Sequence, residues 1–183
     1  MIFPAKSNRP TTYEVSLLGD VGVVNHETYQ EQYLRRILRE TKTIAMVGAS
    51  PHWNRPSYFV MKYLQTKGFR VIPVNPAAAG QEILGEKAYA MLEELPDKVD
   101  LVDVFRNSEA AGPITDEAIR IGAKTVWMQI GVRNEAAARR AEDAGLNVVM
   151  NRCPKIEYSR LCGELAWSGI NTGIISSRRR KRV

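Results

Sequence analysis

Between an apolar run and the start of an amphipathic helix lie Gly48-Ala49-Ser50 and, a few residues on, Arg55-Pro56-Ser57. The chemistry these residue types can do at this spacing is to hold a phosphate. Gly48 lets the backbone turn sharply and leaves room for close approach. The first N–H groups of the following helix and the positive end of its dipole favour an anion, and Arg55 stands beside them. A single glycine here also serves simply to turn a corner, so the phosphate reading depends on the surrounding elements. Candidates for covalent or acid–base chemistry are few. Cys153 is followed two residues later by Lys155, a cation able to lower a thiol pKa, but a cysteine at a strand exit also packs well as a small buried residue. His52 has no acid placed near it in sequence and reads as a solvent-facing loop residue. Cys153 and Cys162 are too few for a disulfide framework and lack metal-ligand partners at suitable spacing, so both read as reduced thiols.

The elements that must position these residues follow from periodicity. Strands are expected over 42–47, 70–74, 99–105, 124–128 and 147–150, with Asp100 and Asp103 at the two ends of the third. Helices are expected over 27–40, over 58–67 with Phe59, Val60, Tyr63 and Leu64 on the buried side, over 109–121 with an early interruption at Gly112-Pro113, over 134–144 with Asn134 as N-cap, and over 156–166. Residues 91–95 read as a short helical turn, and Gly80 and Gly85 keep their segment loop-like. No hairpin signal interrupts the strands, so right-handed βαβ crossovers are implied. The fold class is α/β: Rossmann-like, a five-stranded parallel sheet with helices on both faces. Residues 1–26 read as an irregular arm, 27–167 as one domain and 168–183 as an extension with a basic tail.

Ligands of such sheets bind at the C-terminal ends of the strands where the winding reverses. The polar groups there are Ser50, Arg55, Ser57, Asn75, Arg106, Gln129 and Arg133. A nicotinamide-cofactor domain would show three glycines in the first turn and an acidic residue near the end of the second strand. This turn has one glycine, the second strand ends in Pro73-Val74-Asn75-Pro76, and Arg70 lies at the wrong end to receive a 2′-phosphate. Trp127, inside an apolar strand, reads as core rather than as a stacking surface.

In order along the chain, Val47-Gly48-Ala49-Ser50, Arg55-Pro56-Ser57, Val71-Ile72-Pro73-Val74-Asn75-Pro76, Ile83-Leu84-Gly85, Val102-Asp103-Val104-Phe105-Arg106, Val126-Trp127-Met128-Gln129 and Asn151-Arg152-Cys153-Pro154-Lys155 resemble the small single-domain CoA-binding proteins. These are similar to the CoA-binding domain of the succinyl-CoA synthetase α subunit. The resemblance covers roughly residues 28–165. It implies CoA across the C-terminal edge of the sheet, with Gly48, Ala49, Ser50, Arg55, Pro56 and Ser57 at its phosphates. Asn75, Pro76, Phe105 and Arg106 would flank the nucleotide or the pantetheine arm, and Gln129 would complete the binding set. Two departures stand out. The synthetase lysine after the Asn-Pro turn is replaced by Ala77-Ala78-Ala79, and the synthetase's phosphorylated histidine belongs to a second domain, whereas this chain has only His26 and His52. Ligase activity is therefore not expected.

Composition sets the outer bounds. With 183 residues, 44% hydrophobic and 25% charged, the chain has the make-up of an ordinary globular protein. Its net charge of +6 is concentrated in Arg178-Arg179-Arg180-Lys181-Arg182, which leaves the rest nearly neutral. That run reads as a solvated tail, with nucleic-acid binding through it as a lesser alternative. No apolar run approaches the roughly 18 residues of a membrane span, and no signal-peptide core is evident, so a cytoplasmic protein is expected. The reading as a whole is a CoA or acyl-CoA binding protein without catalysis of its own. The alternatives are an NAD(P)-linked oxidoreductase and a Cys153-dependent acyl transferase; a homo-oligomer stays open.

Overall fold

The protein is described by a computed structural model over residues 24–162. In chain order its elements are α1 (Glu31–Glu40), β1 (Thr43–Val47), α2 (Pro56–Thr66), β2 (Arg70–Val74), β3 (Glu82–Ile83), β4 (Glu86–Lys87), β5 (Leu101–Val104), α3 (Ser108–Arg120), β6 (Thr125–Met128), α4 (Glu135–Asp143), β7 (Asn147–Val149) and α5 (Pro154–Leu161). Five strands form one parallel sheet in the order β2-β1-β5-β6-β7. The chain winds outward one way from β1 to β2 and the other way from β5 to β7, so the winding reverses between β1 and β5.

Because side chains alternate across a strand, each strand feeds two cores. Ile44, Met46, Leu101, Trp127 and Val149 pack with Leu34 and Ile37 of α1, Val60 and Leu64 of α2, and Leu161 of α5. Ala45, Val102, Val104, Val126, Met128 and Val148 pack with Ala111, Ile114 and Ala118 of α3 and with Ala137, Ala138 and Ala141 of α4. The small alanines of α3 and α4 let these two helices lie close to the sheet and to each other. Both faces are covered, which is why the strands read as continuous apolar runs rather than alternating ones. Trp127 is fully buried, and its indole N–H donates to the Arg152 carbonyl at 2.8 Å, as its apolar surroundings led us to expect.

The two edges of the sheet are covered by different means. On β7, the Tyr33 hydroxyl accepts the Val148 N–H at 3.0 Å and donates to the Val148 carbonyl at 3.1 Å, while the Tyr29 hydroxyl accepts the Met150 N–H at 2.7 Å. The two rings stack, and burial pushes both phenols up to about 12, so both keep their protons. On β2, the Tyr89 N–H donates to the Pro73 carbonyl and the Asn75 N–H to the Tyr89 carbonyl. Pro73 thus turns its missing donor toward the edge, where proline is tolerated.

Several expectations need correction. Helix α1 begins at Glu31 rather than 27, because the Asn25 side chain accepts the N–H groups of Glu27 and Thr28 and holds a turn there. Residues 82–87 form a small antiparallel hairpin rather than a loop; Leu84 and Gly85 both have positive φ, 50° and 83°, as a two-residue hairpin turn requires. Leucine gives no such signal in a sequence. Pro113 does not interrupt α3, which runs unbroken from its Asn107 cap. Phe59 points outward at 48% exposed, and the buried side of α2 is Ser57, Val60, Met61 and Leu64. Asp103 lies inside β5, not at its end. Asn134 does cap α4, accepting the Ala137 N–H at 3.0 Å. The arm over 1–26, except residues 24–26, the end of the expected last helix and the extension over 168–183 lie outside the described residues. Among the described residues no helix is long and apolar enough to cross a membrane.

The Tyr33 hydroxyl makes two hydrogen bonds to a partly buried strand edge. Tyr33→Phe is expected to lower the unfolding free energy by about 1–3 kcal/mol, the cost of leaving such groups unpaired. Urea denaturation of both proteins checks this, and an unchanged midpoint would show that water replaces the hydroxyl without loss.

Candidate functional site

The C-terminal tips of β2, β1 and β5 are tied together at the point where the winding reverses. The Gly48 N–H donates to the Val74 carbonyl and the Phe105 N–H to the Val47 carbonyl, both at 2.8 Å. Gly48 has φ of +89°, and a Cβ on it would stand 2.7 Å from the Phe105 carbonyl oxygen and 3.0 Å from Cδ of Arg106. Any side chain would therefore push these two loops apart. The sequence reading left that face of Gly48 open for a ligand; it is occupied by the protein's own backbone and by the stem of Arg106. The glycine is required by the fold, and the same contact lays Arg106 over the first loop.

The loop after β1 is held from both sides. The buried Ser57 hydroxyl accepts the Ser50 N–H at 3.1 Å, and the Asn75 amide donates to the Ala49 carbonyl at 2.7 Å. Asn75 also accepts the Ala77 N–H and so caps the short helical turn at Pro76–Ala78. Ser57 and Asn75 thus shape the loop, while Arg55 and Pro56 at the start of α2, Pro76, and Arg106 stand exposed and Ser50 and Phe105 are half-buried. Ala49 is buried.

Helix α2 differs from its neighbours at its N-terminus. The other four helices among the described residues carry an acidic residue in the first turn, Glu31, Glu109, Glu135 and Glu157. Helix α2 has none, starts with Pro56, and has Arg55 at its N-cap without a side-chain cap. Its orphan N–H groups and dipole are therefore not balanced by the protein itself. Among the described residues no ion pair is formed by Arg55 or Arg106, whereas Arg70, Arg120, Arg133, Arg140, Arg152 and Arg160 each pair with a carboxylate. Arg133, one of the polar groups expected at the edge, is engaged with Glu27 and Glu135.

On the face of the sheet covered by α2 and α5, a polar pair lies under the same edge. Asp103 is fully buried, and the Gln129 amide donates to both its carboxyl oxygens, at 2.9 and 3.2 Å. Burial pushes the Asp103 carboxyl up to about 8, a rise that the Gln129 hydrogen bond only partly offsets. Cys153, at the N-cap of α5, is 6% exposed, and burial pushes its thiol up to about 11 despite Lys155 and the amides of Ile156 and Lys155. Burial thus outweighs the nearby lysine and keeps the thiol in its neutral form at neutral pH. Lys155 instead lies 5.5 Å from the centre of the Tyr63 ring. His52 is exposed.

Two open hollows lie at the opposite, N-terminal edge of the sheet. One, of about 450 Å³, is lined by Glu40, Asp100, Gly122, Gly145 and neighbours; the other, of about 390 Å³, by Lys42, Gly68, Tyr158 and neighbours. Helices end there rather than begin, so their carbonyls and negative dipole ends face these hollows. Asp100 is already satisfied by Lys124 and by the N–H groups of Lys42 and Thr43. With Asp100, Glu40 and the helix C-termini around it, the first hollow is unsuited to an anionic ligand.

Sequence reasoning missed two features. Asp103 was placed at a strand end, and its pairing with Gln129 spans 26 residues that only the β5–β6 register brings together. Trp53, 72% exposed in the first loop, has no periodic partner to mark it.

A sequence model of the CoA binding domain matches residues 42–159, more than half of the chain. The uncharacterized protein YneT of Bacillus subtilis is 36% identical over 126 residues, or 69% of this chain and 92% of that protein. A hypothetical protein from Pyrococcus horikoshii is 41% identical and superposes with a TM-score of 0.71 over 75% of this chain and 95% of its own. The acetate–CoA ligase (ADP-forming) II of Archaeoglobus fulgidus is 27% identical over 114 residues, which are 60% of this chain but 17% of the ligase.

The raised carboxyl of Asp103 makes stability depend on pH. Between its unfolded value, near 4, and about 8 the folded protein holds a proton that the unfolded chain has lost, so stability falls as pH rises across this window. The slope contributed is at most about 1.4 kcal/mol per pH unit. Asp103→Asn is expected to match the wild type near pH 5, exceed it in melting temperature at pH 8, and lose this slope. Thermal melts at the two pH values check the sign; a wild type gaining relative to the variant as pH rises would contradict it.

Proposed function

The chain belongs to the CoA-binding domain family, and from that premise we propose that it binds CoA or an acyl-CoA across the C-terminal edge of its sheet and catalyses nothing by itself. The observation that carries this reading is the unbalanced N-terminus of α2 next to two arginines, Arg55 and Arg106, that form no ion pair among the described residues. CoA is a polyanion with a diphosphate and a 3′-phosphate. Helix N–H groups and guanidinium groups are the donors that bind such charges most strongly. In this reading Gly48, Ala49, Ser50, Arg55, Pro56 and Ser57 form the phosphate turn, with Arg106 covering it from the β5 side. Asn75, Pro76 and Phe105 flank the nucleotide or the arm, and Gln129 meets the arm farther along the edge.

Arg106 also answers the missing lysine after Asn75-Pro76. Its stem already lies across Gly48, so its charge reaches the phosphate turn from the loop after β5 instead of from the loop after β2. A nicotinamide cofactor is disfavoured by the absence of any acid near the end of β2. An acyl transfer through Cys153 would need a thiolate that burial suppresses. The ADP-forming ligase contains a related segment within a much longer chain, which supports a role here in holding the cofactor rather than in the ligation itself.

Isothermal calorimetry with CoA, dephospho-CoA, NAD and NADP tests the assignment. CoA is expected to bind most tightly. Arg55→Ala and Arg106→Ala are each expected to weaken CoA by roughly ten- to a hundredfold, the usual effect of losing a charge-assisted contact, with unchanged melting temperatures. Tighter binding of NAD or NADP, or CoA affinity indifferent to both arginines, would refute the reading.

A further inference from the structure

The Gln129 carboxamide can offer a ligand either its N–H donors or its carbonyl acceptor, and the fold selects between them. Its nitrogen lies between the two Asp103 oxygens, at 2.9 and 3.2 Å. Whether neutral or ionised, Asp103 keeps at least one oxygen able to accept this N–H. The Gln129 backbone carbonyl accepts the Val132 N–H at 2.9 Å, but among the described residues no donor meets the side-chain oxygen Oε1, which is not a fully enclosed atom although the residue as a whole is only 7% exposed. Asp103 itself is fully enclosed, with no surface that a ligand could touch. Its position is fixed by the pairing of β5 with Met46 of β1 and with Trp127 of β6.

We propose that Asp103 is a positioning residue which, by holding the Gln129 N–H, presents the Gln129 side-chain carbonyl at the C-terminal edge as an acceptor for an amide N–H of the ligand's pantetheine arm. The inference rests on the CoA reading above and specifies where the arm lies. An acceptor repels phosphate, so the negatively charged half of the ligand must lie toward α2 and the neutral arm must pass over β6. The pantetheine arm carries two secondary amides, each with one N–H that must find an acceptor when it leaves water. A mononucleotide such as adenosine 3′,5′-bisphosphate has no amide N–H to offer at this place. The pair therefore separates CoA from adenine mononucleotides, a distinction that the phosphate turn alone cannot make.

Calorimetry with CoA and with adenosine 3′,5′-bisphosphate, which keeps much of the anionic half but lacks the arm, tests this. Asp103→Leu removes the acceptor and frees the carboxamide to turn; it is expected to weaken CoA roughly tenfold and leave the bisphosphate unchanged. Asp103→Asn keeps one carbonyl oxygen and is expected to restore most of the loss. Gln129→Ala should match Asp103→Leu, and the double variant should be no weaker than either. Asp103→Val, well suited to a strand, is made in parallel in case leucine is not accommodated, and melting curves confirm folding. Equal weakening of both ligands, an unaffected CoA affinity, or additive losses in the double variant would overturn the inference while leaving the CoA reading intact. Failure of the wild type to bind CoA at all would overturn both.

Discussion

The loops after β1 and β5 can touch only because Gly48 has no side chain. Its backbone sits at φ of +89° with the Phe105 carbonyl where a Cβ would be, and the strands on either side belong to the two halves of the winding. Moving these loops apart would disturb much of the edge. The Gly48 N–H would lose the Val74 carbonyl, and Arg106 would no longer cross the first loop. A crevice at a reversal of winding is a property of the topology. Here it is narrowed by one close backbone approach, so that the loops after β1 and β5 converge on it.

The charges around this crevice follow a simple division. Elsewhere on the described surface most arginines meet acids, and four of five helices have an acid in their first turn. At α2 both compensations are missing. Under the same edge, the neutral polar pair Asp103 and Gln129 lies below the tips of β5 and β6. The edge thus has a positive end and an uncharged end, which suits a ligand with one highly charged half and one neutral arm better than a compact nucleotide.

Much of this was legible in the chain alone. The five strands, their parallel sheet and the capping of α4 by Asn134 followed from apolar runs and cap residues, because these are local signals. What was not legible depends on pairs distant in sequence or on phase. The clash that forbids a side chain at Gly48 involves Phe105, and the Asp103–Gln129 bond requires two strands in register. Phe59 was assigned to the core because an apolar residue in an amphipathic helix is ambiguous when the helix is only eleven residues long. The hairpin at Leu84-Gly85 was hidden because leucine seldom adopts a positive φ.

The hydroxyls of Tyr29 and Tyr33 have an effect beyond closing their own hydrogen bonds. A free edge strand is a template on which another strand can grow, whether from a second copy or from an unfolded neighbour. On β7 the outward groups of Val148 and Met150 are already occupied by phenols anchored on α1 and the turn before it, and on β2 the positions at Pro73 and Asn75 are taken by Tyr89. Growth of the sheet by continuation is thereby blocked at these positions. Extension of the sheet from β7 at these positions would first require pulling Tyr29 and Tyr33, and with them the start of α1, away from the strand.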